Sequence, residues 1–272
     1  MADLNTPPTP VPAATIMLLR ERDEQLQVFM VVRHHQIDFA SGALVFPGGK
    51  VDAQDFDNEL LPYLTDAHDV ANMRAIQVSA IREAFEECGV LLAYDKVASA
   101  AQGQNVMISG ERLNTLDPCR AQLNDGSLPL LAFLEREQLS LACDQLVHFA
   151  HWITPPMVPR RFDTHFYLAT APADHLAIHD GYESVDSVWI SAKQAIQDAK
   201  DGKRTVIFPT LRNIEKLGIS GSLEEAMSAA RGDTIVPVLP WTEQREDGTY
   251  LLIPPEAGYL ISEEKMPPRE KG

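Results

Sequence analysis

The chain has 272 residues, of which 45% are hydrophobic and 23% are charged, and its net charge of −16 argues against a nucleic-acid surface, which needs basic residues. It contains no apolar run of about 18 residues and no secretory pattern at its N-terminus, so neither a membrane helix nor secretion is expected. Three cysteines without metal-ligand spacing indicate reduced thiols and a cytoplasmic protein.

The N-terminal third is predicted to begin with a flexible arm and continue as a β-hairpin. Residues 1–14 contain four prolines and little that could be buried, which is typical of an extended arm. Residues 15–20 and 26–32 are apolar and rich in strand formers, with a polar turn between them, and this pattern predicts a hairpin. Arg33, at the end of the second strand, is a candidate for contact with a bound substrate.

Three carboxylates, Glu83, Glu86 and Glu87, are spaced i, i+3 and i+4 and therefore share one face of a predicted helix. The other side carries residues that would pack inward: Ile76, Ala80, Ile81, Ala84, Phe85 and Cys88. Gly89 is a suitable residue to end this helix. Like charges on one turn repel by about 0.2–0.5 kcal/mol per exposed pair. A divalent cation such as Mg²⁺ would remove that cost, although the group alone also fits a solvated acidic face.

A Pro47-Gly48-Gly49 turn precedes this helix, after a short predicted strand at residues 43–46. The glycines permit a positive φ and a close approach of the backbone to a ligand or metal. A turn with only a structural role is the alternative for this stretch.

The turn and the sequence Arg82-Glu83-Ala84-Phe85-Glu86-Glu87-Cys88-Gly89-Val90 together resemble the Nudix hydrolase signature. In that signature Gly is followed after five residues by Glu and, after seven more, by Arg-Glu-U-x-Glu-Glu-x-Gly-U, where U is aliphatic. Gly49 is the first Gly, and Asp55 stands in place of the first Glu. Nineteen extra residues separate Gly49 from Arg82. An inserted box of this kind resembles the acyl-coenzyme A diphosphatase branch, over roughly residues 15–217.

The inserted segment, at about residues 56–70, is expected to be a short helix or loop at the surface; it could also form a lid or a homodimer contact. Residues 128–145 carry a leucine pattern that predicts a core helix. His148 and His151 have the spacing of a ligand pair. The sequence around them is strand-like, however, so a zinc site is not predicted.

Trp152-Ile153-Thr154-Pro155 and Arg160-Arg161-Phe162-Asp163-Thr164 also resemble the inserted-box branch. Arg160 and Arg161 are candidates for substrate phosphate, because a guanidinium fork binds phosphate oxygens; an ordinary surface pair is the alternative. Glu183, six residues before Trp189, resembles a loop Glu that in several Nudix enzymes completes the metal site or helps deprotonate water. A loop carboxylate without a role is the alternative.

The C-terminal third is predicted to be a strand ending at Ile190, then helices at 191–200, 211–217 and 222–231, with Ser191 and Ser222 as N-caps. A further strand is expected at 250–253, and residues 261–272 read as a polar tail. Strands mixed with helices and without a βαβ repeat predict an α+β fold. The resemblance implies a Nudix-type α/β/α sandwich with a mixed β-sheet and additional helices, as a single domain over residues 15–260.

The resemblance also implies a function: metal-dependent cleavage of a diphosphate linkage in a small molecule, first coenzyme A or acyl-coenzyme A. Glu83, Glu86, Glu87 and the Gly48 carbonyl would hold Mg²⁺ or Mn²⁺, and Arg82 would orient the carboxylates. ADP-ribose, nucleotide sugars and dinucleoside polyphosphates are the alternative substrates. A Nudix-like domain that senses a nucleotide without cleaving it is the alternative class.

Overall fold

The computed structural model describes residues 7–33, 42–175 and 184–266. Its strands are β1 (Val11–Arg22), β2 (Gln25–Arg33), β3 (Leu44–Val45), β4 (Gly48–Lys50), β5 (Ala93–Asp95), β6 (Leu139–Leu141), β7 (Val147–Ile153), β8 (Phe162–Thr170), β9 (Ser184–Ile190), β10 (Pro237–Val238), β11 (Trp241–Arg245), β12 (Gly248–Leu252) and β13 (Glu263–Lys265). Its α-helices are α1 (Ala71–Cys88), α2 (Lys96–Gln102), α3 (Gly110–Asn124), α4 (Leu130–Glu137), α5 (Ala192–Lys200), α6 (Phe208–Leu217) and α7 (Leu223–Gly232).

A mixed eight-stranded sheet lies at the centre, in the order β10-β7-β8-β1-β2-β3, with β4 beside β1 and β9 beside β2. Strands β1 and β8 run parallel over nine residue pairs. The predicted hairpin of β1 and β2 is confirmed, but its pairing is limited to residues 19–22 and 25–28. Nearer the start of β1, residues 13–15 pair with β4 instead. The Gly48-Gly49 turn is therefore built into the sheet where β1 and β2 part.

The two faces of the sheet are covered by different helices, because successive side chains of a strand point to opposite faces. One core joins Ile16, Leu18 and Phe29 of the sheet to α1, α3 and α4. The other joins Met17, Leu19 and Met30 of the same strands to α5, α6 and α7. The mixed sheet between two helical layers confirms the predicted α/β/α sandwich.

The predicted ends of the domain are wrong in two places. The arm predicted for residues 1–14 is too long, because β1 begins at Val11 and its residue Ala14 is fully buried between β8 and β4. The prolines of this stretch do not prevent pairing, since the carbonyl of Pro12 still accepts a hydrogen bond from the Val51 N–H at 3.0 Å. The tail predicted for residues 261–272 contains β13, which pairs with β12.

The core helix predicted for residues 128–145 is right only in its first half. Helix α4 ends at Glu137, and Gln138 adopts a left-handed conformation with φ of 53°. Leu139 and Leu141 then alternate inward in β6, which pairs with β5. The leucines of this short strand continue the leucine spacing of α4, so the pattern predicts one longer helix. Periodicity alone does not separate a short buried strand from a helix.

A short 3-10 helix, Ala53–Phe56, precedes the inserted segment, which forms a second one, Asn58–Tyr63, and then bends into α1. It lies at the surface, as predicted, with Leu60 reaching into the core on the α1 side. Ser191 and Ser222 cap α5 and α7, as predicted. Within the described ranges, no helix is both long and apolar enough to cross a membrane.

Candidate active site

The helix that carries the three carboxylates, α1, is 18 residues long and begins after Val70, at the end of the inserted segment. The residues predicted to pack inward are all buried. Its acidic side is not a solvated face, because Glu86 is 6% exposed and Glu87 is 8% exposed. Gly89 ends the helix with a φ of 68°, as its position in the sequence predicts.

Arg82 lies at the centre of the carboxylates and is 3% exposed. It donates two parallel hydrogen bonds to Asp55, each of 2.9 Å, in a bidentate pair. A further nitrogen of the same guanidinium donates to Glu83 at 2.9 Å and to Glu86 at 3.0 Å. Arg82 also donates to the Lys50 carbonyl at 3.1 Å. Arg82 thus joins Asp55, β4 and α1, and these contacts are compatible with the orienting role expected from the sequence.

Gly48 and Gly49 bring the backbone against the acidic helix. The Gly48 N–H donates to Glu87 Oε2 at 2.9 Å. Its φ of 153° and its contact with the Ala14 carbonyl leave no room for a side chain. A Cβ at Gly49 would lie 2.5 Å from the Glu83 carboxylate. Only glycine fits at Gly48, and a side chain at Gly49 would displace the Glu83 carboxylate from its place against β4.

Burial disfavours the charged form of the carboxylates. Loss of solvation raises the pKa of both Glu83 and Glu86 to about 7, although the charge of Arg82 acts in the opposite direction. Burial works against the charge of Arg82 as well, but its hydrogen bonds to Asp55 and the surrounding carboxylates outweigh this and raise its pKa. One guanidinium therefore does not compensate the whole cluster.

The donor set fits a hard divalent cation. Glu86 Oε1 is buried and has no hydrogen-bond partner among the described residues, which is costly for a carboxylate oxygen. Mg²⁺ and Mn²⁺ prefer carboxylate and carbonyl oxygens, and such oxygens are what α1 and the glycine turn offer. Glu83, Glu86, Glu87 and Gly48 would hold the ion, because they are brought together at one end of α1.

The raised pKa values predict how stability depends on pH. Without a cation, Glu83 and Glu86 bind protons more tightly in the folded chain than in the unfolded one, where the pKa of Glu is about 4.3. Their contribution to the free energy of unfolding therefore falls as the pH rises from about 4.3 towards 7. A cation needs the deprotonated form, so the difference in Tm between Mg²⁺ and EDTA should grow from pH 5 to 7.5. A constant difference over this range, measured by thermal unfolding, would contradict the assignment.

A second arginine fixes the C-terminal end of α1. Arg120 of α3 donates to the main-chain carbonyls of Glu86 at 2.8 Å and Glu87 at 2.6 Å. The positive charge of the Arg120 side chain also compensates the negative end of the helix dipole. Nothing in the sequence around Arg120 indicates this contact, because its backbone partners lie 33 and 34 residues away along the chain.

A cavity of about 960 Å³ opens beside the carboxylates. Glu83, Glu87, Gly48 and Gly49 line one part of it. Much of the remaining wall is apolar and comes from β7, β8, the turn between them, α6 and β12, including Trp152, Val158, Phe162, Phe166, Phe208 and Leu251. The cavity is large enough for a nucleotide-sized ligand, which buries most of its surface in clefts of about 300–1,000 Å³.

The other predicted substrate residues fall in different places. Arg33 lines the cavity. Arg160 and Arg161 do not line it, so the structure does not support their predicted role at the phosphates. Arg161 donates to the carbonyls of Thr154 at 2.9 Å and Pro8 at 2.8 Å, which ties the N-terminal strand to the turn before β8. Glu183 lies outside the described residues.

A sequence model of the NUDT19 Nudix domain matches residues 65–217, more than half of the chain. The chain belongs to the NUDT19 Nudix domain family. The glycine turn and Asp55 precede the matched residues, and the structure joins them to the family's helix through Glu87 and Arg82.

Individual relatives agree with this family. The acyl-coenzyme A diphosphatase NUDT19 of Xenopus laevis is 21% identical over 225 residues, which are 70% of this chain and 59% of that protein. The human protein of the same name is 24% identical and covers 94% of this chain and 76% of its own length. The chain thus spans 59% of the length of the frog relative.

The fold also matches a solved structure. The crystal structure of a NUDIX hydrolase from Alicyclobacillus acidocaldarius is 26% identical, with a TM-score of 0.65. The match covers 81% of this chain and 96% of that structure. The Nudix fold predicted from the two half-motifs is therefore confirmed.

Proposed function

We propose that the protein is a Mg²⁺- or Mn²⁺-dependent hydrolase that cleaves the diphosphate linkage of coenzyme A or acyl-coenzyme A. The observation that carries this proposal is the continuity of the cavity, which joins the carboxylates of α1 to a mainly apolar wall. A diphosphate held at Glu83 and Glu87 would leave a long, partly apolar substituent to lie along that wall. Acyl-coenzyme A has this shape, and two relatives are named for acting on it.

The chemistry is attack of water on one phosphorus, which breaks the phosphorus–oxygen bond of the anhydride and leaves two phosphomonoesters. The bound cation would neutralise phosphate oxygens and make water more acidic. Arg82 keeps the carboxylates in one arrangement, so little reorganisation is needed during the reaction. Arg33 lines the cavity, which supports its role as a contact for a phosphate or another polar group of the substrate. Glu183 is the candidate that positions or deprotonates the water.

The cavity is less suited to the alternative substrates. ADP-ribose, nucleotide sugars and dinucleoside polyphosphates are polar at both ends, whereas apolar residues supply much of this wall. A sensing domain without activity is also disfavoured, because all three carboxylates and the arginine that orients them are present. The buried, unbridged cysteines suit a reducing compartment such as the cytoplasm.

The test is a panel of diphosphates with Mg²⁺, Mn²⁺ or EDTA, with the products identified by mass. We expect coenzyme A esters to give the highest kcat/KM, and KM to fall as the acyl chain lengthens along the apolar wall.

Glu86→Gln should lower turnover tenfold or more, on the order of 1.4 kcal/mol in the barrier, and weaken stabilisation by Mg²⁺. Glu59→Gln, an exposed carboxylate in the inserted segment, is the control. Unchanged activity in Glu86→Gln, or a preference for ADP-ribose, would contradict the proposal.

A further inference from the structure

A β-bulge in β7 brings together histidines that an ordinary strand would separate. His148 pairs with Tyr167 and Ala150 with Phe166, so Phe149 is an extra residue in this strand. A bulge of this kind shifts the alternation of the following side chains by one position. His148 and His151, three residues apart, therefore point to the same face of the sheet. This arrangement explains why the strand-like sequence did not predict a shared site.

The result is a cluster of three possible metal ligands on β7 and β8. His151 lies directly opposite His165, and the two rings stack with their centroids 4.0 Å apart. His151 Nε2 is in hydrogen-bond contact with Asp163 Oδ1. One ligand atom from each of these three residues lies within 4.8 Å of the others.

We propose that His151, Asp163 and His165 bind a Zn²⁺ ion. Two imidazoles and one carboxylate are a common zinc ligand set, with water as the fourth ligand. With bonds of about 2.0–2.2 Å, tetrahedral ligand atoms lie roughly 3.3–3.6 Å apart, so the two stacked imidazoles would turn out of their stack to bring their nitrogens onto one ion. The ion would replace the proton that His151 and Asp163 share, and that proton would leave to solvent.

The surroundings of the cluster suit such an ion. His165 is 7% exposed, and its Nδ1 lies 3.0 Å from Nε2 of His148, which gives one ligand an orienting partner on the neighbouring strand. The Asp163 side chain is 38% exposed and that of His151 is 16% exposed, so an ion can enter from solvent and keep a water ligand. Mg²⁺ would bind poorly, because it prefers oxygen ligands.

This site is separate from the carboxylates of α1. His165 pairs with Ala14, and Ala14 pairs with Gly49, so two strand spacings, about 10 Å, separate His165 from the glycine turn. The ion would connect β7 to β8 on one face of the sheet. On the other face, Phe162, Thr164 and Phe166 of β8 line the cavity. A bound Zn²⁺ would therefore fix the strands that form the cavity wall.

The test measures Zn²⁺ affinity by competition with a chromophoric chelator, in excess Mg²⁺ so that the carboxylates of α1 are occupied. The parent protein should bind one Zn²⁺ and gain thermal stability, and Co²⁺ should give the visible absorption of a tetrahedral site. His151→Gln and Asp163→Asn should each weaken binding tenfold or more and remove the gain in Tm. His148→Gln, which removes the orienting partner, should weaken binding about 10–100-fold. Glu59→Gln, at an exposed carboxylate in the inserted segment, is the control and should bind as the parent does.

Glu86→Gln separates this proposal from the proposed function, because it removes a carboxylate of α1 and leaves the histidine cluster intact. Its Zn²⁺ affinity should equal that of the parent. Zn²⁺ binding that survives in both His151→Gln and Asp163→Asn would overturn the proposal. An absence of binding in the parent would also overturn it and leave a stacked histidine pair without a metal role.

Discussion

Asp55→Ala is expected to cost about 3 kcal/mol of unfolding free energy, at the lower end of the 3–5 kcal/mol for breaking a buried ion pair. The Asp55 side chain is fully buried and holds the Arg82 fork through two hydrogen bonds of 2.9 Å. Its removal leaves part of the Arg82 charge without a partner, although Glu83 and Glu86 keep their contacts. Urea unfolding, with the parent and the variant in the same Mg²⁺ concentration, measures this difference.

Asp52→Ala is the matched control for this experiment. Asp52 also faces Arg82, but at 3.8 Å and with a side chain that is 57% exposed. Exposed pairs of this kind contribute about 0–1 kcal/mol. Asp55→Glu tests the departure from the Nudix pattern, in which Glu occupies this position, and it should retain more stability than Asp55→Ala. An Asp55→Ala variant no less stable than Asp52→Ala would show that Arg82 does not depend on Asp55.

The carboxylate site could be predicted because its residues are close in sequence or belong to a motif. Glu83, Glu86 and Glu87 are one helix turn apart, so helical geometry alone brings them together. Asp55 and Gly49 were found because the two half-motifs keep their internal spacing despite the insertion. The inserted residues form a short surface helix and lead into α1, and they do not interrupt the contacts that Arg82 and Glu87 make with Asp55 and Gly48.

Other parts of the molecule depend on contacts that leave no pattern in the sequence. The histidine cluster requires the bulge at Phe149, since regular alternation would place His148 and His151 on opposite faces. Arg161 bonds to backbone carbonyls, which every residue carries, so its sequence cannot distinguish this from a phosphate contact. The apolar cavity wall is assembled from strands and helices as far apart as β1 and β12.

Glu183→Gln is expected to lower kcat by about 10²–10⁴, the usual contribution of a general base, with a smaller effect on KM. Glu183 lies outside the described residues, and this prediction rests on its position six residues before Trp189. The substitution keeps the shape of the side chain and removes its charge. Metal should still bind through Glu83, Glu86 and Glu87, so stabilisation by Mg²⁺ should remain close to that of the parent.

Asp186→Asn is the control for Glu183→Gln, because Asp186 lies three residues further along the chain, in β9, and its side chain accepts a hydrogen bond from the Ser187 N–H at 2.8 Å. Its kcat should match that of the parent. If kcat of Glu183→Gln stays within a factor of about three of the parent, far below the range for a general base, Glu183 is not that base. The role would then move to one of the glutamates of α1, acting on a water bound to the cation.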